Sequence, residues 1–103
     1  MRVSNMTSPR SGSPVANQYV IENDGVELFQ SYQTPIAKKE GDYLVISSDY
    51  NYSRTTSKYF WKWVGNYGLR YEKVEVSKWL KKANYGDTTD DFGYLTIKYV
   101  EEL

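Results

Sequence analysis

Cysteine and histidine are both absent from this chain of 103 residues. Without cysteine there is no disulfide framework and no thiolate nucleophile. Without histidine there is no imidazole base, and the usual zinc sites lose both of their main donors, so neither a cofactor nor a metal is expected. No apolar run approaches the roughly 18 residues that a membrane helix needs, so no membrane partner is expected. Arg2 is followed by no apolar stretch, so the start does not read as a secretory signal. A chain without cysteine is compatible with a reducing cytosol. A phosphate loop is missing too: "SPRSGSP" holds Gly12 alone, without the required spacing.

Net charge is also missing, since 13 basic and 13 acidic residues cancel, but the charges are sorted along the chain. Residues 54–82 carry eight bases against Glu72 and Glu75, whereas residues 21–53 and 83–103 are acidic on balance. Such a basic block inside an otherwise acidic chain is either a bipolar surface or one solvated helical face. The apolar share is 40%, and eleven tyrosines supply much of it. Tyrosine suits half-buried strands and binding surfaces alike, because its ring is apolar and its hydroxyl is not. The length allows one domain.

Residues 1–14, "MRVSNMTSPRSGSP", have almost no apolar pattern, and Ser8-Pro9 and Ser13-Pro14 exclude a helix. They read as a flexible arm ahead of a domain over residues 15–103. "NQYVIENDGVELFQSY" reads as a hairpin turning at Asn23-Asp24-Gly25. Tyr19 and Ile21 share one strand face, and Val26, Leu28 and Gln30 share one on the returning strand. Thr34-Pro35 reads as a break, and "IAKKEGDYLVISS" as a second hairpin through Glu40-Gly41-Asp42.

In "NYSRTTSKYFWKWVG" the period changes. Ser53 stands where an N-cap belongs, and Thr56, Tyr59, Phe60, Trp63 and Val64 recur at helical spacing. Gly65 suits a left-handed helix end. Trp61 lies off the apolar face and should be exposed or cover a strand end. Val76, Trp79, Leu80 and Ala83 predict a second helix over residues 72–83, with Lys73, Lys78, Lys81 and Lys82 outward. "NYGDTTDDFG" reads as a loop, and alternation over residues 94–100 as a last strand. The expected fold is α+β: about five mainly antiparallel strands with two helices on one face.

Few constellations carry chemistry. The acidic pairs Asp90-Asp91 and Glu101-Glu102 fall in a turn and a terminus, where solvated surface is the ordinary state. A dyad of Ser53 or Ser57 with Lys58 would need a buried lysine, and a helix start does not bury one. No enzymatic activity is therefore expected. Arg54, Lys58, Lys62, Arg70, Lys78 and Lys81 interleave with Tyr52, Tyr59, Trp61, Tyr67 and Tyr71. A cationic track with stacking rings is what a single-stranded nucleic acid needs.

The segments "SPRSGSPVANQYVI", "LFQSYQTPIA" and "YSRTTSKY" resemble, in the same order, a group of short proteins of unknown function encoded by tailed bacteriophages and their prophages. The likeness fades from Trp61 onward. It implies a phage accessory protein acting in the host cytoplasm, and no reaction. The polar residues it picks out include Arg10, Asn17, Gln18, Gln30, Ser31, Tyr32, Ser53, Arg54, Thr55, Thr56 and Lys58. These are expected at strand ends and a helix start. There they form either a network pinning the N-terminal arm or a pocket.

The expected function is stoichiometric binding of a host protein or ribonucleoprotein, as in inhibition of a bacterial defence system of the anti-CRISPR kind. The alternatives are nucleic-acid binding through the basic aromatic face and small-ligand binding. The expected binding residues are Arg10, Asn17, Gln30, Tyr32, Arg54, Thr55, Lys58, Trp61, Lys78, Lys81 and Lys82. Edge strands of such a sheet also offer a surface for a homodimer.

Overall fold

Asp24 and Gly25 both have positive φ, 50° and 81°, the conformation that a two-residue hairpin turn of matching twist requires. They join β2 (Pro14–Asn23) to β3 (Val26–Ser31), with Asn23 opposite Val26. The computed structural model describes residues 1–67, 73–82, 88–92 and 95–103. The other strands are β1 (Arg2–Thr7), β4 (Thr34–Glu40), β5 (Tyr43–Ser47), β6 (Thr88–Phe92) and β7 (Leu95–Val100). The helices are α1 (Arg54–Gly65) and α2 (Lys73–Lys82), with a 3-10 turn at Ser48–Asn51 before α1.

The α+β expectation holds, with seven strands among the described residues rather than about five, in the order β1-β2-β3-β4-β5-β7-β6. Three features depart from the sequence reading. Arg2–Thr7, read as part of an arm, forms an edge strand antiparallel to β2. Met6, 6% exposed, anchors it, and Lys62 on α1 donates to the Thr7 carbonyl and, at 3.0 Å, to its hydroxyl. One buried side chain and a sheet edge able to pair with it were enough, although no apolar pattern announced them. Thr88–Phe92, read as loop, pairs antiparallel with β7. Its threonines suit a strand, and the acids beside them masked that signal. Finally, β7 pairs with β5 in parallel, because the helical layer between them carries the chain back across the sheet.

Pro35 does not break the chain. It sits within β4 opposite Gln30, beside a register shift between Phe29 and Gln30. A bulge is a place where a strand tolerates the missing proline donor.

The register defines two sheet faces. Phe29, Ala37 and Ile46 lie across from one another on neighbouring strands, and all three are buried. Leu44, Leu95, Ile97 and Tyr99 continue this face. Both helices cover it. Phe29 and Trp63 stack with ring centroids 6.0 Å apart, and Trp79 meets Tyr99 at 6.4 Å. All five apolar-face residues expected of α1 are buried, as are Val76 and Leu80 of α2. Ser53 caps α1 by accepting from the Thr56 N–H. Gly65 is the last helical residue, and Asn66 ends the helix in right-handed geometry, so no left-handed glycine is used there. Glu72 and Ala83, the expected ends of the second helix, lie outside the described residues, as do Arg70, Tyr71 and Tyr94. The opposite sheet face carries Val3, Ile21, Leu28, Lys38, Val45 and Lys98 in one cross-strand row.

Candidate functional site

At one end of the sheet the start of β2, the β3–β4 turn and the start of α1 enclose a cleft of about 770 Å³. Asn17 and Tyr19 come from β2, Ser31 from β3, and Tyr32 and Gln33 from the turn. Thr34 and Ile36 come from β4, Asp49 from the 3-10 turn, and Tyr52, Ser53 and Thr56 from the helix entry.

Two cleft residues hold unusual backbone. Asn17 has φ 68° and Tyr32 φ 56°. Asparagine visits the left-handed region readily, whereas a tyrosine there carries strain of about 1–3 kcal/mol. The surroundings hold Tyr32 from both sides: its N–H donates to the Asn17 carbonyl at 2.6 Å, and its own carbonyl accepts from Gln30 Nε2 at 3.0 Å. The ring is left 48% exposed at the rim, and Tyr52 nearby is 77% exposed.

Below the rim runs a chain of hydroxyls. Ser53 Oγ accepts from Thr56 N at 3.1 Å and donates to Thr56 Oγ1 at 3.1 Å. Thr56 Oγ1 lies 2.8 Å from Ser31 Oγ, which accepts from Gln18 Nε2 at 2.9 Å. Gln18, Ser31 and Thr56 are buried, so the chain ties both strands to the helix start. Behind the cleft, Tyr50 packs against Phe60 and Tyr99, and burial pushes its phenol pKa above the ordinary value.

The expected site residues divide. Asn17 and Tyr32 line the cleft, and Gln30 supports it through the Tyr32 carbonyl. Arg54, Thr55 and Lys58 are exposed on the first turns of α1 and do not line it. Lys58 Nζ lies 5.3 Å from the Tyr59 ring centroid, while the Ser53 hydroxyl is engaged in the cap. Arg10 is exposed in the β1–β2 turn, its backbone N–H donating to Ser8 Oγ at 3.3 Å, and among the described residues it takes part in no network pinning the N-terminal arm to the helix start. Lys62 and Thr7 tie the first strand down instead. Trp61 is half-buried, edge-on to Phe60 and Tyr50, with Lys73 Nζ 5.5 Å from its ring centroid. Lys78, Lys81 and Lys82 are exposed on α2, as expected, and none lines the cleft.

The sequence reading missed Gln33, Thr34, Ile36 and Asp49 as site residues. They belong to the β3–β4 turn, the start of β4 and a 3-10 segment, whose common position depends on the sheet closing against the helix. Glu27 was missed as well: its Oε1 accepts from Trp63 Nε1 at 2.8 Å and from the Tyr67 hydroxyl, tying α1 to β3 at the far end.

The structure is thus an α+β domain with an open sheet, one helix-covered face and a polar cleft at the helix entry. The chain belongs to a family of unknown function, DUF8033, whose model matches residues 1–82. The match runs to the end of α2, well past Trp61, where the likeness read from the sequence faded. No curated protein and no solved structure matches the chain. Among the described residues, no helix is long and apolar enough to cross a membrane.

Proposed function

We propose that this chain is a bacteriophage accessory protein that acts in the host cytoplasm by binding a host macromolecule stoichiometrically, with the cleft as its contact surface. Inhibition of a defence complex of the anti-CRISPR kind is the form of action this reading favours. One observation carries it: a tyrosine held in left-handed geometry by two hydrogen bonds presents its exposed ring at the rim of a concave polar site. Strain of this sort persists where surroundings over-determine it, and such places cluster at binding sites. Exposed tyrosines give large contact area at low entropic cost. The phage origin and the class of partner rest on the likeness of "SPRSGSPVANQ", "FQSY" and "YSRTTSKY" to phage accessory proteins.

The nucleic-acid reading keeps its exposed cations, Arg54 and Lys58 on α1 and Lys73, Lys78, Lys81 and Lys82 on α2, and the exposed Tyr52 ring. It loses most of its stacking rings: Tyr59 is buried, and Trp61 and Tyr67 are partly buried against the core.

The test is affinity capture from host lysate, with and without nuclease, using wild type and the Tyr32→Asn/Tyr52→Ala double variant. Asparagine tolerates the left-handed turn, so the fold is kept. A nuclease-resistant partner lost from the double variant is the expected result. Undiminished capture by that variant would remove the cleft from the function. Nuclease-sensitive capture, abolished by Lys78→Glu/Lys81→Glu/Lys82→Glu and by added salt, would install the nucleic-acid reading.

A further inference from the structure

We infer that the cleft recognises a neutral hydrogen-bond acceptor, the amide carbonyl of a polypeptide segment, seated on the Ser31–Thr56 hydroxyl pair with an apolar side chain against Tyr32 and Tyr52. The inference rests on the reading of this cleft as the contact surface and names the chemistry that it selects.

A count of protons leads to it. The Ser53 hydroxyl proton goes to Thr56 Oγ1. The single bond between Ser31 Oγ and Thr56 Oγ1 uses one of their two protons, whichever residue donates. Ser31 Oγ already accepts from Gln18 Nε2. One hydroxyl proton of the pair is therefore left without an acceptor among the described residues, and both residues border the cleft from its buried side. One residue deeper, Gln18 Oε1 is buried and without a partner, an acceptor left over where the hydroxyl pair has a donor left over. Turning the amide over would give Ser31 an acceptor but strand the N–H₂ group, so a donor is left over in either orientation. A buried donor without a partner is costly, and an incoming acceptor removes that cost.

Charge decides which acceptor. Asp49 lines the same cleft, and its carboxylate has no cationic partner among the described residues. It opposes phosphate and carboxylate ligands and leaves a neutral carbonyl favoured. The tyrosine rings at the rim supply the apolar contact beside it.

The experiment follows amide resonances of the full chain during titration with two probes. N-acetylphenylalanine methylamide offers carbonyls and a ring, whereas toluene offers the ring alone and no charge for Asp49 to attract. The first probe is expected to shift the resonances of residues 31–33 and 53–57 saturably, and the second to leave them in place. Thr56→Val should weaken binding of the first probe about tenfold, the effect of one lost hydrogen bond to a buried donor. Tyr52→Ala, at an exposed position that leaves the fold intact, should weaken it too, which keeps the test decisive if Thr56→Val fails to fold. Equal binding of the two probes, binding of neither, or wild-type affinity in Tyr52→Ala overturns the inference. Capture of a partner that depends on Tyr32 and Tyr52, with no probe binding, would overturn it while leaving the proposed function standing. Probe binding with no captured macromolecule would do the reverse.

Discussion

The two helices lie on the same sheet face and do different work. α1 buries five residues, is capped by Ser53, and is hydrogen-bonded to β3 at both ends, through Ser31–Thr56 and through Glu27 with Trp63. α2 buries two residues, Val76 and Leu80, and turns Lys73, Lys78, Lys81 and Lys82 to solvent. A helix fixed along its length can hold a concave site to a fraction of an ångström, whereas a helix attached by one narrow stripe offers a convex charged surface. Under the proposed function, the more polar sequence of α2 does not by itself make it the binding element. What matters is which helix can hold polar groups still, because preorganised contacts lose less entropy on binding.

This contrast can be broken experimentally, most severely at the two tryptophans. Trp63→Ala removes a fully buried ring that stacks on Phe29 and bonds Glu27, and should cost about 3–5 kcal/mol in urea denaturation. Trp79→Ala, at a half-buried position, should cost about half as much. Equal losses would mean that the two helices are equally integral to the core. Removing residues 1–7 should come next, at about 2–3 kcal/mol, because Met6 and the Lys62 contact are lost with β1. An unchanged unfolding midpoint would return the segment to a dispensable arm.

At the head of α1, Ser53→Ala should cost about 1 kcal/mol by removing the cap. Arg54→Ala, exposed and outside the hydroxyl chain, should stay within about 0.5 kcal/mol. A larger loss at Arg54 would show that the cationic side chain belongs to the structural network.

The smallest effect is expected at alkaline pH. Tyr50 has its phenol pKa raised in the folded state by burial. Its contribution is therefore fully present below the unfolded value near 10 and is lost as pH rises through the higher folded value. Denaturant midpoints measured at pH 9 and pH 11 should fall less in Tyr50→Phe than in wild type. An equal fall would assign the alkaline loss to other tyrosines.

Periodicity and short-range chemistry settled much of this protein within the sequence itself. The Asp24-Gly25 turn, the Ser53 cap, the apolar stripe of α1, the lysine face of α2 and the alternation of β7 all appear where the local pattern places them. Each depends on neighbours within about two helical turns or a hairpin, a range over which spacing alone sets who meets whom. Tertiary structure decided the rest. β1 exists because β2 leaves an edge to pair with and a place for Met6, and β6 because β7 returns beside β5. The cleft brings together Asn17, Tyr32, Asp49 and Thr56, which only the docking of α1 on β3 makes neighbours. Sequence alone sets Gln18 among the polar residues of the cluster but assigns it no partner. Its unpartnered oxygen arises only once Ser31 and Thr56 have closed over it, because hydrogen-bond demand is set by what burial takes away from water.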